Sequence, residues 1–171
     1  MKCPWILAAL LLFGVGCRDQ HTNAAQKAAP PPAAPAVVQQ DPHGFKVNIT
    51  LSEKARQTLV QSKETIIVAG YASGTPKQGA LKKYVNEMGT INLGEIRAEI
   101  APGESASFGD VALLKDHLEQ TDGQDPELLI NVFSGRKSSE NNLLDCGIYQ
   151  GGLHALQGHA TDISCKLIGE P

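Results

Sequence analysis

Apolar and polar residues alternate through Phe45, Val47, Ile49 and Leu51, the period-two pattern of a strand with one buried face. Ser52 then offers a hydroxyl to a free backbone N–H of a first helical turn. Residues 53–61 read as that helix, with Glu53 where negative charge suits the helix dipole. Residues 65–72 (TIIVAGYA) are apolar and rich in β-branched side chains, which predicts a core strand ended by Ser73-Gly74-Thr75-Pro76. Residues 79–88 are polar and carry no clear period. Ile91, Leu93, Ile96, Ala98 and Ile100 mark a strand over 90–101, broken near Gly94. Pro102-Gly103 turns the chain, and 105–111 returns, so the pair predicts a hairpin. A short exposed helix is expected within 113–120 and a loop over 121–126. Residues 128–133 (LLINVF) form a second core strand, and strands over 143–149 and 161–168 complete the set. These elements predict a mainly β fold: an antiparallel β-sandwich of about seven or eight strands with short helices and one disulfide.

The first 44 residues follow other rules. Hydrophobic residues make up 42% of the chain, but part of that share sits in the first seventeen residues and an alanine-rich stretch, so a more modest core is expected. Met1-Lys2 is basic, and 5–13 (WILAALLLF) is apolar but shorter than the roughly 20 residues a membrane span needs. Gly14-Val15-Gly16-Cys17 follows. Small residues directly before a cysteine resemble the lipobox of bacterial lipoproteins, with Gly14 standing where that family usually has leucine. The resemblance implies a signal peptide over 1–16, cleavage before Cys17 and a diacylglyceryl group on its sulfur. More than one acyl chain makes such an anchor stable. Arg18, rather than an aspartate, follows the cysteine. In that class this implies an outer-membrane lipid anchor with the domain facing the periplasm.

Residues 17–44 comprise the lipidated cysteine and an Ala/Pro-rich flexible linker, with Pro30-Pro31-Pro32 at its centre. At about 3.1 Å per residue, the extended linker reaches on the order of 75 Å. The folded domain is expected over 45–171.

Charge and cysteine use narrow the function. A formal net charge of -3 gives no basic footprint, so no nucleic-acid partner is expected. Of four cysteines, Cys3 lies in the leader and Cys17 at its end; Cys146 and Cys165 remain for a structural disulfide. Closing a loop of about 20 residues stabilises by roughly 3 kcal/mol in the chain-entropy model.

Catalytic patterns are not found. The chain has no G-x-S-x-G, no S-x-x-K and no phosphate-binding glycine loop. His154, His159 and Asp162 have a spacing that neither a helix nor a strand gathers on one side, so neither a metal nor a cofactor is expected. Glu95 and Glu99 share a strand face that reads as solvent-exposed.

The polar segment 134–142 (SGRKSSENN) leaves a core strand and is the leading candidate for partner contact, through Arg136, Lys137, Ser138, Ser139 and Asn141. Lys82-Lys83-Tyr84 is the second candidate. The strand order and residues 99–105 (EIAPGES) are similar to the transthyretin-like sandwich lipoprotein of type VI secretion machines, although a disulfide and a 134–142 loop are not part of that pattern.

The expected function is a non-catalytic protein-binding or accessory module of the envelope, either an assembly component or an immunity-type inhibitor. The alternative is a small-ligand-binding or metal-dependent envelope enzyme, which needs His154, His159 and Asp162, or a buried acid, to converge.

Overall fold

The computed structural model describes residues 43–171. The leader, Cys17 and the linker up to residue 42 lie outside the described residues. Alternation in the first strand, β1 (Phe45–Leu51), buries Phe45 and Val47. Helix α1 (Glu53–Ser62) follows; its N-cap Ser52 accepts from Ala55 N at 3.0 Å, and Ala55 and Leu59 are its buried positions. Lys63 ends the helix in the left-handed conformation. Then come β2 (Ile66–Gly74), a 3-10 turn at Lys82–Tyr84, β3 (Ile91–Ile100) and β4 (Ser105–Phe108). The rest is α2 (Lys115–Leu118), β5 (Glu127–Ser134), β6 (Leu144–Cys146), β7 (Tyr149–Gly152), α3 (Leu153–Leu156) and β8 (Ala160–Leu167).

The eight strands make two sheets of four, ordered β4-β1-β8-β6 and β3-β2-β5-β7. Both contribute to one buried cluster: Val47, Ile163 and Leu144 from the first, Ile66, Val68, Leu128 and Ile130 from the second. Leu59 of α1 and Leu153 and Leu156 of α3 join it. Fully burying one such side chain is worth about 1.5–3 kcal/mol, so this shared core is the main source of stability.

Three expectations about pairing are corrected. The first sheet is mixed, not antiparallel throughout, because β1 runs parallel to β8 from Lys46↔Ala160 to Leu51↔Cys165. Parallel neighbours need a long crossover, and here the crossover is the rest of the domain. Strands β3 and β4 do not form a hairpin. β3 pairs with β2 and β4 with β1, so the Pro102-Gly103 turn carries the chain from one sheet to the other. A tight turn reverses the chain, but burial chooses the sheet: Ile100 and Ala106 face the same core from opposite sides. The strand expected over 143–149 is two strands. β6 pairs with β8 and β7 with β5, and the chain changes sheet at Gly147-Ile148. The break near Gly94 is present as a register shift between Ala72 and Ser73, opposite a glycine at φ 154.

Pairing gives the domain two ends. At one, Gly158 N donates to Gly44 O at 2.7 Å, Leu153 N donates to Pro126 O at 2.8 Å, and Glu127 faces Gly152. At the other, Ser134 faces Ile66 and Leu144 faces Leu167. β5 spans the two, so at about 3.3 Å per residue they lie roughly 25 Å apart. The chain enters at the first end, and the 134–142 loop stands at the second.

Candidate functional site

Glu64 follows the left-handed cap of α1, and its side chain is 2% exposed. Its Oε1 accepts from Lys137 N at 2.9 Å and Thr65 N at 3.0 Å. Its Oε2 accepts from Ser138 N at 2.8 Å and Ser138 Oγ at 2.7 Å. Burial alone raises the pKa of this carboxyl; the hydrogen bonds from Lys137, Ser138 and Thr65 outweigh it and hold the pKa at about 2. The outgoing limb of the 134–142 loop is therefore folded over a buried charge.

Gly135 N adds a bond to Thr65 O at 2.7 Å, and a Cβ at Gly135 would collide with Thr65 Oγ1. The returning limb is fixed by Asn142. Its Oδ1 accepts from Ser134 N at 2.9 Å and Leu144 N at 3.1 Å, and its Nδ2 donates to Leu144 O at 2.7 Å. Beyond it, Cys146 and Cys165 sit opposite each other on β6 and β8 and are joined by a 2.06 Å S–S bond. The disulfide expected from the cysteine count is present.

The five residues proposed for partner contact divide by occupation. Ser138 is spent on Glu64. Lys137 reaches Glu99 Oε1 at 3.0 Å, a half-exposed pair of small energetic weight. Glu99 also accepts from Thr65 Oγ1 at 2.7 Å; that bond, then the one from Lys137, holds its carboxyl below the ordinary value. Ser139 Oγ accepts from Asn141 N at 3.2 Å within the loop. The Asn141 side chain is exposed, and so is Arg136, at φ 59. Among the described residues the Arg136 guanidinium has no ion-pair or hydrogen-bond partner.

The other candidates are dispersed. His154 bonds to Asp125 through both its backbone N–H and its ring Nδ1. Asp162 accepts from Asn48 Nδ2 at 2.9 Å, and His159 holds Lys46 through its backbone carbonyl. Among the described residues no group of three His, Cys, Asp or Glu side chains is placed to hold a metal ion. Glu95 and Glu99 lie on the exposed face of β3 with Arg97 between them. In the second candidate segment, Lys83 Nζ lies 4.7 Å from the Tyr84 ring centroid, and that ring meets His117 edge-on at 4.9 Å. Their cation and ring thus already satisfy each other.

Glu64 is the residue that sequence reading missed. It lies 73 positions before Lys137, between a helix and an apolar strand, where an acid reads as a solvated helix end. No described helix is long and apolar enough to cross a membrane. No family model, curated protein or solved structure matches the chain.

Proposed function

We propose that this chain is a lipid-anchored envelope protein, tethered through Cys17 at the periplasmic face of the outer membrane. Its two sheets form a sandwich that offers the 134–142 loop to a protein partner, without catalysis. One observation carries the reading: the loop is braced by a buried carboxylate while the exposed Arg136 on its outgoing limb has no partner among the described residues. A loop already ordered loses little entropy on binding. The free guanidinium is a planar donor fork suited to a carboxylate on that partner.

The backbone of Arg136 supports the same reading. A non-glycine residue at φ 59 costs about 1 kcal/mol, and such strain gathers at binding sites. The loop also stands at the end of the domain opposite Gly44, so a tether joined upstream of Gly44 does not cover it.

The test is capture from the native envelope by the lipidated protein and by Arg136→Ala, with mass spectrometry of what each retains. A protein held by the native chain and lost from Arg136→Ala is the expected result. The thermal midpoint should be unchanged, since exposed substitutions shift stability by less than about 0.5 kcal/mol. Equal capture by both would sink the assignment of the loop.

A further inference from the structure

The outer face of the β3-β2-β5-β7 sheet holds a second surface, about 490 Å³ in volume, that the loop does not explain. Its floor is Tyr71 and Leu129, which face each other across β2 and β5. Ala72 and Leu128, their neighbours in sequence, point the other way into the core, so the floor belongs to the solvent side. One wall is Met88, 84% exposed.

That exposure is built in. Asn86 Oδ1 accepts from Met88 N at 3.0 Å and Thr90 N at 3.1 Å, and Asn86 N donates to Thr90 O at 2.8 Å, so the turn holds the thioether out. A flexible, polarisable methionine beside an aromatic ring is suited to receive an apolar side chain.

The rim is acidic. Glu127 lines the groove, accepting only from Gln150 Nε2 at 2.7 Å, and Glu95 is paired in register with Tyr71. Among the described residues neither carboxylate has a cationic partner. Arg97, the cation nearest along β3, is turned over the Phe133 ring, 5.5 Å from its centroid, on the row beyond. A third carboxylate, Asp125, lies in the adjoining cleft that shares Ser73, Thr90 and Glu127 with the groove, and it is paired with His154.

We infer that this groove binds a short extended segment of a partner protein, with an apolar side chain seated on Tyr71, Leu129 and Met88 and a neighbouring lysine or arginine held by Glu127, while Glu95 beside Tyr71 adds negative charge outside the groove. The volume suits a few side chains. The unpaired carboxylates select a basic segment and oppose an anionic lipid surface. The site lies toward the end of the sheet opposite the 134–142 loop and does not depend on it.

Met88 is one of two methionines in the chain, so methyl-labelled methionine gives a direct probe. The full chain in detergent is titrated with a blocked pentapeptide, alanine-leucine-alanine-lysine-alanine, and with its counterpart carrying glutamate for lysine. The Met88 methyl signal should move and saturate with the lysine peptide, and the glutamate peptide should bind at least ten-fold more weakly. Glu127→Gln should weaken the lysine peptide about five-fold, whereas Arg136→Ala should leave it unchanged, which separates this site from the loop. No movement of Met88 by 10 mM peptide, or equal response to both peptides, overturns the inference. Movement on concentrating the chain alone would assign the groove to a second copy and overturn it too.

Discussion

Glu64 and its four donors set a pH dependence that can be measured. The folded pKa of about 2 lies below the ordinary value of 4.5, so the carboxylate stabilises the fold fully above pH 4.5. That contribution is lost as pH falls through the folded value. The difference corresponds to about 3 kcal/mol at 1.36 kcal/mol per unit. Glu64→Gln cannot carry the charge and turns an amide donor toward at least one of those N–H or O–H groups. Its urea unfolding at pH 7 should show a loss of about 2–4 kcal/mol, and its stability should fall less steeply than the native chain's between pH 5 and 2. Parallel pH curves for the two proteins would remove Glu64 from the account. At this scale the candidate site was half legible. Arg136 and Lys137 could be picked out as a cationic pair in a polar loop. That Lys137 is held by Glu99 and Ser138 by Glu64 could not, because those partners are 38 or more positions away and meet the loop only through sheet pairing.

Among the elements, the individual strands were legible where one face is buried and the other wet. β1 was readable because burial alternates along it, and β5 alternates in the same way. β2 was readable because its first five residues, Ile66 to Gly70, are all buried, whichever face they occupy. Strand partners were not legible, since the same alternation suits a parallel or an antiparallel neighbour. β6, only three residues long, carries too short a pattern to be told from β7, and the disulfide is what marks it. The bond joins paired positions on β6 and β8 and so holds the returning limb of the 134–142 loop. Cys146→Ala should lower stability by roughly 2–4 kcal/mol in denaturant unfolding, in line with a closed loop of this length. Peptide mapping without reductant should recover Cys146 linked to Cys165 from the native chain. Free thiols at both positions in exported protein would contradict the structure.

For the whole molecule, the two candidate surfaces lie toward opposite ends of the domain. The described chain enters at the Gly44 end, the Met88 groove lies on the sheet face nearer that end, and Arg136 stands at the other. Under the proposed anchoring, Cys17→Ser removes the single attachment point. The protein should then move from the membrane pellet to the soluble periplasmic fraction, with the folded domain equally stable in both forms. A Cys17→Ser chain that still pellets with membranes after normal processing would exclude the lipid anchor. The sequence by itself determined the mainly β character, most strand positions, the cap of α1 and the pairing of Cys146 with Cys165. Each of these follows from local periodicity, from the hydrogen-bonding reach of one side chain, or from there being only two cysteines left to join. Tertiary structure alone decided the parallel β1–β8 pair, the crossings between sheets at Pro102-Gly103 and Gly147-Ile148, and the burial of Glu64. Those depend on which distant backbone and apolar faces meet in the shared core, and local pattern carries no record of a neighbour that arrives a hundred residues later.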